Sequence, residues 1–370
     1  MNKRILYIGG FELPDKNAAA QRVLSIGKTM REAGYIVEFI GVTKDINQIG
    51  QQYDFDGFKY KSVKYPKSIM EWLFQITKFV PLEEINKRNP DVVVLYNFPA
   101  IAQKRITKYC HKKGIKVIAD LTEWYVTEGK SLRDIIKRWD TKKRMTDYSF
   151  QVDGIIAISK YLFEFYNKRV KTVYIPATVD LQDDKWDRDR KILIHKPLRL
   201  VYAGSPGTGQ KDKLDILVKA VTNNPKFELN IYGITKEQFI DNFGGVSLSG
   251  NIWFHGRVKH LEAIKMVCES DFDVIIRDDN LVTRAGFPTK FVEAYSCGTP
   301  VIATASSNII DYLKDGENGF VVGEHQPLDQ ILDKIAKMSE DDLIAIKKKA
   351  ISLYVFDFRN YVGEVQKILS

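Results

Sequence analysis

Lys290 and Glu293 stand three residues apart in a stretch whose punctuation sets out a strand, a loop, a helix and a second strand. Val274–Ile276 reads as a buried strand, and Gly286-Phe287-Pro288-Thr289 opens the helix. Pro288 suits the first helical turn, where a missing N–H costs nothing and a fixed φ starts the helix. Cys297-Gly298-Thr299-Pro300 stops it, and Val301-Ile302-Ala303 reads as the next buried strand. Phe291, Ala294 and Tyr295 fall on one packing face, Lys290 and Glu293 on another. Free N–H groups at a helix start, with a lysine beside them, favour an anion such as a diphosphate. A carboxylate one turn further in can accept two hydrogen bonds from a ribose diol. The chemistry implied is a grip on a nucleoside diphosphate.

Gly286-Phe287-Pro288-Thr289-Lys290-x-x-Glu293-Ala294, followed by Cys297-Gly298-Thr299-Pro300-Val301-Ile302-Ala303, resembles the donor site of the family-4 retaining glycosyltransferases. The resemblance implies a GT-B fold, with Glu293 on the ribose and the backbone before it on the diphosphate. The family often carries two glutamates eight positions apart. The earlier one falls on Ala285 here, so contacts to the donor sugar must come from elsewhere or be absent.

Other stretches fit the same chemistry. Tyr202-Ala203-Gly204-Ser205-Pro206-Gly207-Thr208-Gly209-Gln210-Lys211 follows a strand, and its glycines let backbone N–H groups surround phosphate. It resembles the family's Gly-Arg loop with a downstream lysine, but Ser205 stands where the arginine usually is. Lys211 or Lys213 is then expected to supply charge to the departing diphosphate, with Arg277 or Lys290 replacing the guanidinium. After Phe254-His255-Gly256-Arg257, the backbone of Val258 is expected, by the resemblance, to read the nucleotide base.

The first half offers candidates for the acceptor side. Asn17 is a good helix N-cap, and Arg22 one turn in is expected either to reach an anion or to lie on a helix surface. Ala18 and Ala19 stand where relatives carry a glycine pair. Asp120 and Glu123, in Ala119-Asp120-Leu121-Thr122-Glu123-Trp124-Tyr125, end a strand, where ligands of open α/β sheets gather. The family often has a histidine near there; this chain has none, so Asp120 or Glu123 is expected to take its role, unless Asp120 only caps the next element. Trp124 and Tyr125 offer flat faces to a sugar ring.

Charge is uneven along the 370 residues. The net charge is +9, and residues 1–185 carry 32 Lys and Arg against 22 Asp and Glu. The excess implies either an anionic partner for the first half, such as lipid headgroups or a pyrophosphate-carrying acceptor, or an ordinary solvated basic surface. No aromatic-basic motif supports nucleic acid as that partner. Two helices there have apolar stripes suited either to a membrane surface or to core packing: Ile69–Val80, and the basic Ser131–Asp147 with Leu132, Ile135, Ile136 and Trp139. Cys110, Cys268 and Cys297 lack metal-ligand or CxxC spacing and read as reduced, in a cytoplasmic protein. No apolar run approaches a membrane span, so any membrane contact is expected to be peripheral, at the inner face. Asp54-Phe55-Asp56 and Asp271-Phe272-Asp273 have the DxD spelling of another transferase fold but not its placement; no metal or other cofactor is expected.

The elements that must position these residues alternate between strand and helix in both halves. Strands read at Ile5–Ile8, Val37–Val42, Val92–Tyr96, Lys116–Asp120, Gly154–Ile158 and Val173–Ile175, with helices at Ala20–Ala33, Ala100–Lys113 and Lys160–Asn167 between them. Several strands are continuous apolar runs, as parallel strands covered on both faces must be. The second half repeats the pattern from Leu198 to Val322. Two Rossmann-like doubly wound domains facing across a cleft are expected, residues 1–182 for the acceptor and 191–354 for the donor. The resemblance further implies that 355–370 crosses back to the first. The highly charged Asp180–Arg190 is expected to link them. The function expected is transfer from a nucleotide-diphosphate sugar, UDP-linked, to a glycan or polyprenyl-diphosphate-linked acceptor in surface polysaccharide synthesis. A catalytically silent nucleotide-sugar or glycan-binding subunit and a nucleotide-sugar 2-epimerase are the alternatives.

Overall fold

A computed structural model of the chain describes residues 3–14, 16–65, 82–127, 129–206, 211–222, 224–244 and 247–370. The stripe expected at Ile69–Val80 and the glycines at 207 and 209 lie outside these residues. The chain divides into two compact units: Met1–Thr178 with Ala285–Phe287 and Asp357–Ser370, and Val179–Arg284 with Pro288–Phe356.

In the first unit, β1 (Arg4–Gly9), β2 (Ile36–Thr43), β3 (Gln52–Phe55), β4 (Phe58–Lys64), β5 (Val92–Tyr96), β6 (Lys116–Leu121), β7 (Gly154–Ala157) and β8 (Thr172–Tyr174) form one sheet in the order β3-β4-β2-β1-β5-β6-β7-β8. All neighbours are parallel except β3 and β4. Central β1 pairs Ile5 with Val37 on one side and Val92 on the other. Its residues Ile5 to Ile8 are fully buried because helices cover both faces. The β3–β4 hairpin departs from the sequence expectation, which placed no strand there. Phe55 faces Phe58 across Asp56-Gly57, both at positive φ (49° and 73°), as a two-residue hairpin turn requires. The first DxD string therefore runs from the end of β3 into the turn.

The helix Leu132–Thr146 buries its polar side. Asp140, Thr141, Arg144 and Met145 face inward, and Asp140 Oδ1 accepts from the Ala100 amide at 2.9 Å. Leu132, Ile135 and Trp139 are left 70%, 49% and 45% exposed, so this stripe does not serve the core. No helix among the described residues is long and apolar enough to cross a membrane.

The second unit holds β9 (Leu198–Ala203), β10 (Phe227–Tyr232), β11 (Ile252–Gly256), β12 (Phe272–Ile275), β13 (Val301–Thr304) and β14 (Gly319–Val322), all parallel, in the order β11-β10-β9-β12-β13-β14. Numbered within the unit, that order is 3-2-1-4-5-6, the doubly wound arrangement that reverses between β9 and β12. Helices Leu214–Val221, Lys236–Phe243, His260–Cys268, Thr289–Ser296, Leu328–Ile335 and Glu340–Ile351 accompany it. Asp180–Arg190 is packed rather than loose, because its one large apolar residue finds a site. Trp186 is 2% exposed, and its indole donates to Asp180 O at 2.7 Å.

Candidate active site

The order of the second sheet reverses between β9 and β12, and ligands of open α/β sheets gather at the carboxyl ends of the strands that flank such a point. The loop after β9 carries Gly204 and Ser205, the chain after β12 carries Arg277, and the helix Thr289–Ser296 brings Lys290 to the same place. Arg277 and Lys290 meet on a residue that sequence reasoning passed over. Asp212, 1% exposed, takes Lys290 Nζ on Oδ2 at 2.6 Å and Arg277 Nε on Oδ1 at 2.5 Å. Tyr202 donates its hydroxyl to Asp212 Oδ2 at 2.6 Å, and Lys290 Nζ lies 3.8 Å from the centre of the Tyr202 ring.

The cluster therefore holds two cations on one carboxylate. Burial alone would raise the Asp212 carboxyl, but Lys290 and Arg277 outweigh it and hold it below the usual range. Burial, reinforced by Arg277, lowers Lys290 against the pull of Asp212. One positive charge stays uncompensated, which is the condition for attracting a further anion. Gly204, at φ 142°, lets the loop close over the lysine: a Cβ there would lie 3.2 Å from Lys290 Nζ.

One turn along the same helix, Glu293 pairs through Oε1 with His260 Nε2 at 3.0 Å. The histidine opens the helix His260–Cys268, two residues after Val258, which is half-buried in the turn leaving β11. Thr299 Oγ1 donates to Val267 O at 2.8 Å and fixes this helix against the end of the Glu293 helix. Beneath them, Asp273 on β12 is fully buried with no hydrogen-bond partner on either carboxylate oxygen. Burial, with Glu293 and Asp212 adding to it, pushes its carboxyl up to about 8. The second DxD string thus has a neutral carboxyl inside the sheet. Its other member, Asp271, is bound by Lys347 Nζ at 2.7 Å at the amino end of β12.

The remaining candidates fall as follows. Pro288 is the N-cap of the Thr289 helix, and Phe287 is buried before it, while Gly286 is half-buried. Lys213 is turned to Asp278, at 2.8 Å, and Lys211 is half-buried beside Asp212. In the first unit, Asn17 caps its helix by accepting from the Ala20 amide at 2.8 Å. Arg22 and Asp120 require correction. They form a buried ion pair at 3.0 Å, 2% and 0% exposed, and Tyr7 donates to the same carboxylate. The rest of the guanidinium is spent on Ile175 O at 2.8 Å and on Pro176 O. Neither is placed to meet a ligand, because each is the other's compensation for burial. Glu123 is half-buried, bound by Asn97 Nδ2 at 3.2 Å and by the Tyr125 hydroxyl. Tyr125 lies under Lys137 Nζ, 4.4 Å from its ring centre, and Trp124 meets Phe165 edge-on at 5.2 Å.

Asp212 and His260 are the residues missed from sequence. Asp212 lay between the two lysines singled out there, and its partners are 65 and 78 residues away. His260 lies 33 residues before Glu293, a separation that carries no local signal.

Comparison with known proteins agrees with this geometry. Residues 186–353 match the family model for glycosyl transferases group 1. No curated protein sequence matches the chain significantly. Among solved structures, the sucrose-phosphate synthase of Thermosynechococcus elongatus aligns over 99% of this chain and 98% of its own, with a TM-score of 0.72 at 14% identity. Anabaena HepE, solved with UDP and glucose, aligns over 100% and 99%, with a TM-score of 0.67 at 16% identity. The trehalose-6-phosphate synthase OtsA aligns over 99% of each chain, with a TM-score of 0.70 at 9% identity. Residues 186–353 of the second unit match the glycosyl transferases group 1 family, and the chain has the GT-B fold of these solved structures.

Proposed function

We propose that the enzyme moves a sugar, with retention, from a nucleotide-diphosphate sugar, UDP-linked, to a glycan or polyprenyl-diphosphate-linked acceptor in surface polysaccharide synthesis. The observation that carries the donor assignment is the pairing of two cations on Asp212 with Glu293 one turn beyond them. Glu293 takes the ribose diol. The helix N–H groups, Lys290 and Arg277 take the diphosphate, whose charge grows as its bond to the sugar breaks. The acceptor hydroxyl attacks from the leaving group's side, and the departing phosphate oxygen receives its proton. Protein cations supply the charge stabilisation, so the reading includes no metal.

Glu293→Ala is expected to weaken nucleoside-diphosphate binding strongly, read by calorimetry, while thermal unfolding still reports a folded protein. Undiminished affinity would remove the site. Ala285, buried and without a carboxylate, favours a silent binding subunit as the second reading. An assay of transfer and donor hydrolysis with purified enzyme separates the two.

The acceptor side extends the reading to the inner face of an anionic membrane. Exposed Leu132, Ile135 and Trp139, with Arg133, Arg138 and Lys142 around them, have the composition of an interfacial helix. Trp139→Asp is expected to abolish flotation with vesicles containing phosphatidylglycerol. Equal flotation of the variant and the parent enzyme would end this part of the proposal.

A further inference from the structure

The donor reading assigns the ribose diol to Glu293 and leaves open what aims its carboxylate. A glutamate side chain turns about three bonds, and its last torsion is broad. Ordering it on binding costs rotamer freedom unless something has already ordered it. In this chain something has. His260 Nε2 lies 3.0 Å from Glu293 Oε1, with the two side chains 26% and 16% exposed. An ionised carboxylate only accepts, so Nε2 is the donor in this pair. Carboxylate oxygens offer about four lone-pair positions. One is filled by the imidazole. Among the described residues, Oε2 receives no protein donor and stays available to hydroxyl groups.

The imidazole is itself held. It stands on the first residue of the helix His260–Cys268, which Thr299 ties to the end of the Glu293 helix through the carbonyl of Val267 at 2.8 Å. The two helices are thus tied at two points, by His260 with Glu293 and, just beyond the end of the Glu293 helix, by Thr299 with Val267. From this geometry we infer that His260 is a positioning residue: it fixes the plane of the Glu293 carboxylate in the orientation that accepts both hydroxyls of the nucleotide ribose. The inference rests on the donor reading above and deepens it. His260 acts through Glu293, so its effect belongs to the ribose hydroxyls and not to the diphosphate or the sugar being transferred.

The test uses the full-length enzyme and whichever of UDP, ADP and GDP it binds most tightly, together with the 2′,3′-dideoxy form of that nucleotide. His260→Ala is expected to weaken binding of the ribonucleotide about tenfold, the scale of one hydrogen bond to a charged group. It should leave the dideoxy form bound as before. His260→Gln, which keeps a donor at about the same reach, should restore most of the lost discrimination. In turnover, His260→Ala should raise the donor KM with kcat within about threefold, as loss of binding common to ground and transition state does. If Glu293→Ala keeps the ribose-over-dideoxy preference, or no nucleotide binds the parent enzyme, the donor reading fails and this inference with it. If Glu293→Ala loses the preference but His260→Ala keeps it, only the role of His260 is overturned. Equal weakening of both nucleotides by His260→Ala would mark general damage and also overturn it.

Discussion

Each unit carries a buried aspartate that takes a hydrogen bond from a tyrosine on the first strand of its sheet and an ion pair from an arginine. In the first unit these are Asp120, Tyr7 and Arg22; in the second they are Asp212, Tyr202 and Arg277. The difference lies in the count of cations. Arg22 meets one carboxylate and spends its remaining donors on the carbonyls of Ile175 and Pro176, so that cluster is neutral and closed. Asp212 faces a second cation, Lys290, and that cluster keeps a positive charge. The same local chemistry closes on itself in one unit and, with one lysine added, leaves in the other the charge that the proposed donor reading assigns to a diphosphate.

The sharpest way to break this comparison is to remove each carboxylate. Asp120→Ala and Asp212→Ala should each lower stability by about 3–5 kcal/mol, the scale for stranding a buried charge. Added pyrophosphate should then separate them. It should raise the melting temperature of Asp212→Ala more than that of the parent enzyme, because the stranded Lys290 and Arg277 acquire an anion. It should leave Asp120→Ala unmoved. Rescue of both variants, or of neither, would dissolve the distinction.

A smaller effect refines the picture inside the second unit. The Asp273 carboxyl is raised to about 8 by burial, so the folded protein holds a proton that the unfolded chain releases near pH 4. Between those values the native state binds more protons than the unfolded state, and stability from this group falls as pH rises, levelling above about 8. Asp212 has the opposite sign: its contribution is present above the unfolded value and is lost on acidification. Asp273→Asn should flatten the decline between pH 5 and 8, measured as urea midpoints, and leave the acid limb in place. An unchanged slope would mean that Asp273 is ionised in the folded protein.

The parts of this organisation that are local in sequence were legible. Gly286, Pro288, Gly298 and Pro300 frame the Glu293 helix with signals confined to a few residues, and β1, β5 and β13 are apolar runs that double burial demands. The β3–β4 hairpin escaped because β3 is a polar, mostly exposed edge strand and β4 alternates buried residues with lysines; Asp56-Gly57 was its one cue. The helix Glu340–Ile351 was also overlooked, although Ser339 caps it by accepting from the Asp342 amide at 3.2 Å. Pairings across the chain were closed to sequence reasoning. Arg22 reads from sequence as either an anion contact or a surface arginine, and neither reading includes its partner Asp120, 98 residues away, because nothing in either neighbourhood marks the match.

The helix Val362–Leu369 has a consequence for the order in which the molecule can be made. Val365, Ile368 and Leu369 belong to the hydrophobic core of the first unit, and Gly154 on β7 has no side chain where Ile368 comes to rest. A ribosome delivers residues 1–178 long before 357–370, with the whole second unit between them. The first sheet therefore waits, one apolar patch uncovered, until the second unit has been made. The unit synthesised first is the last to be sealed.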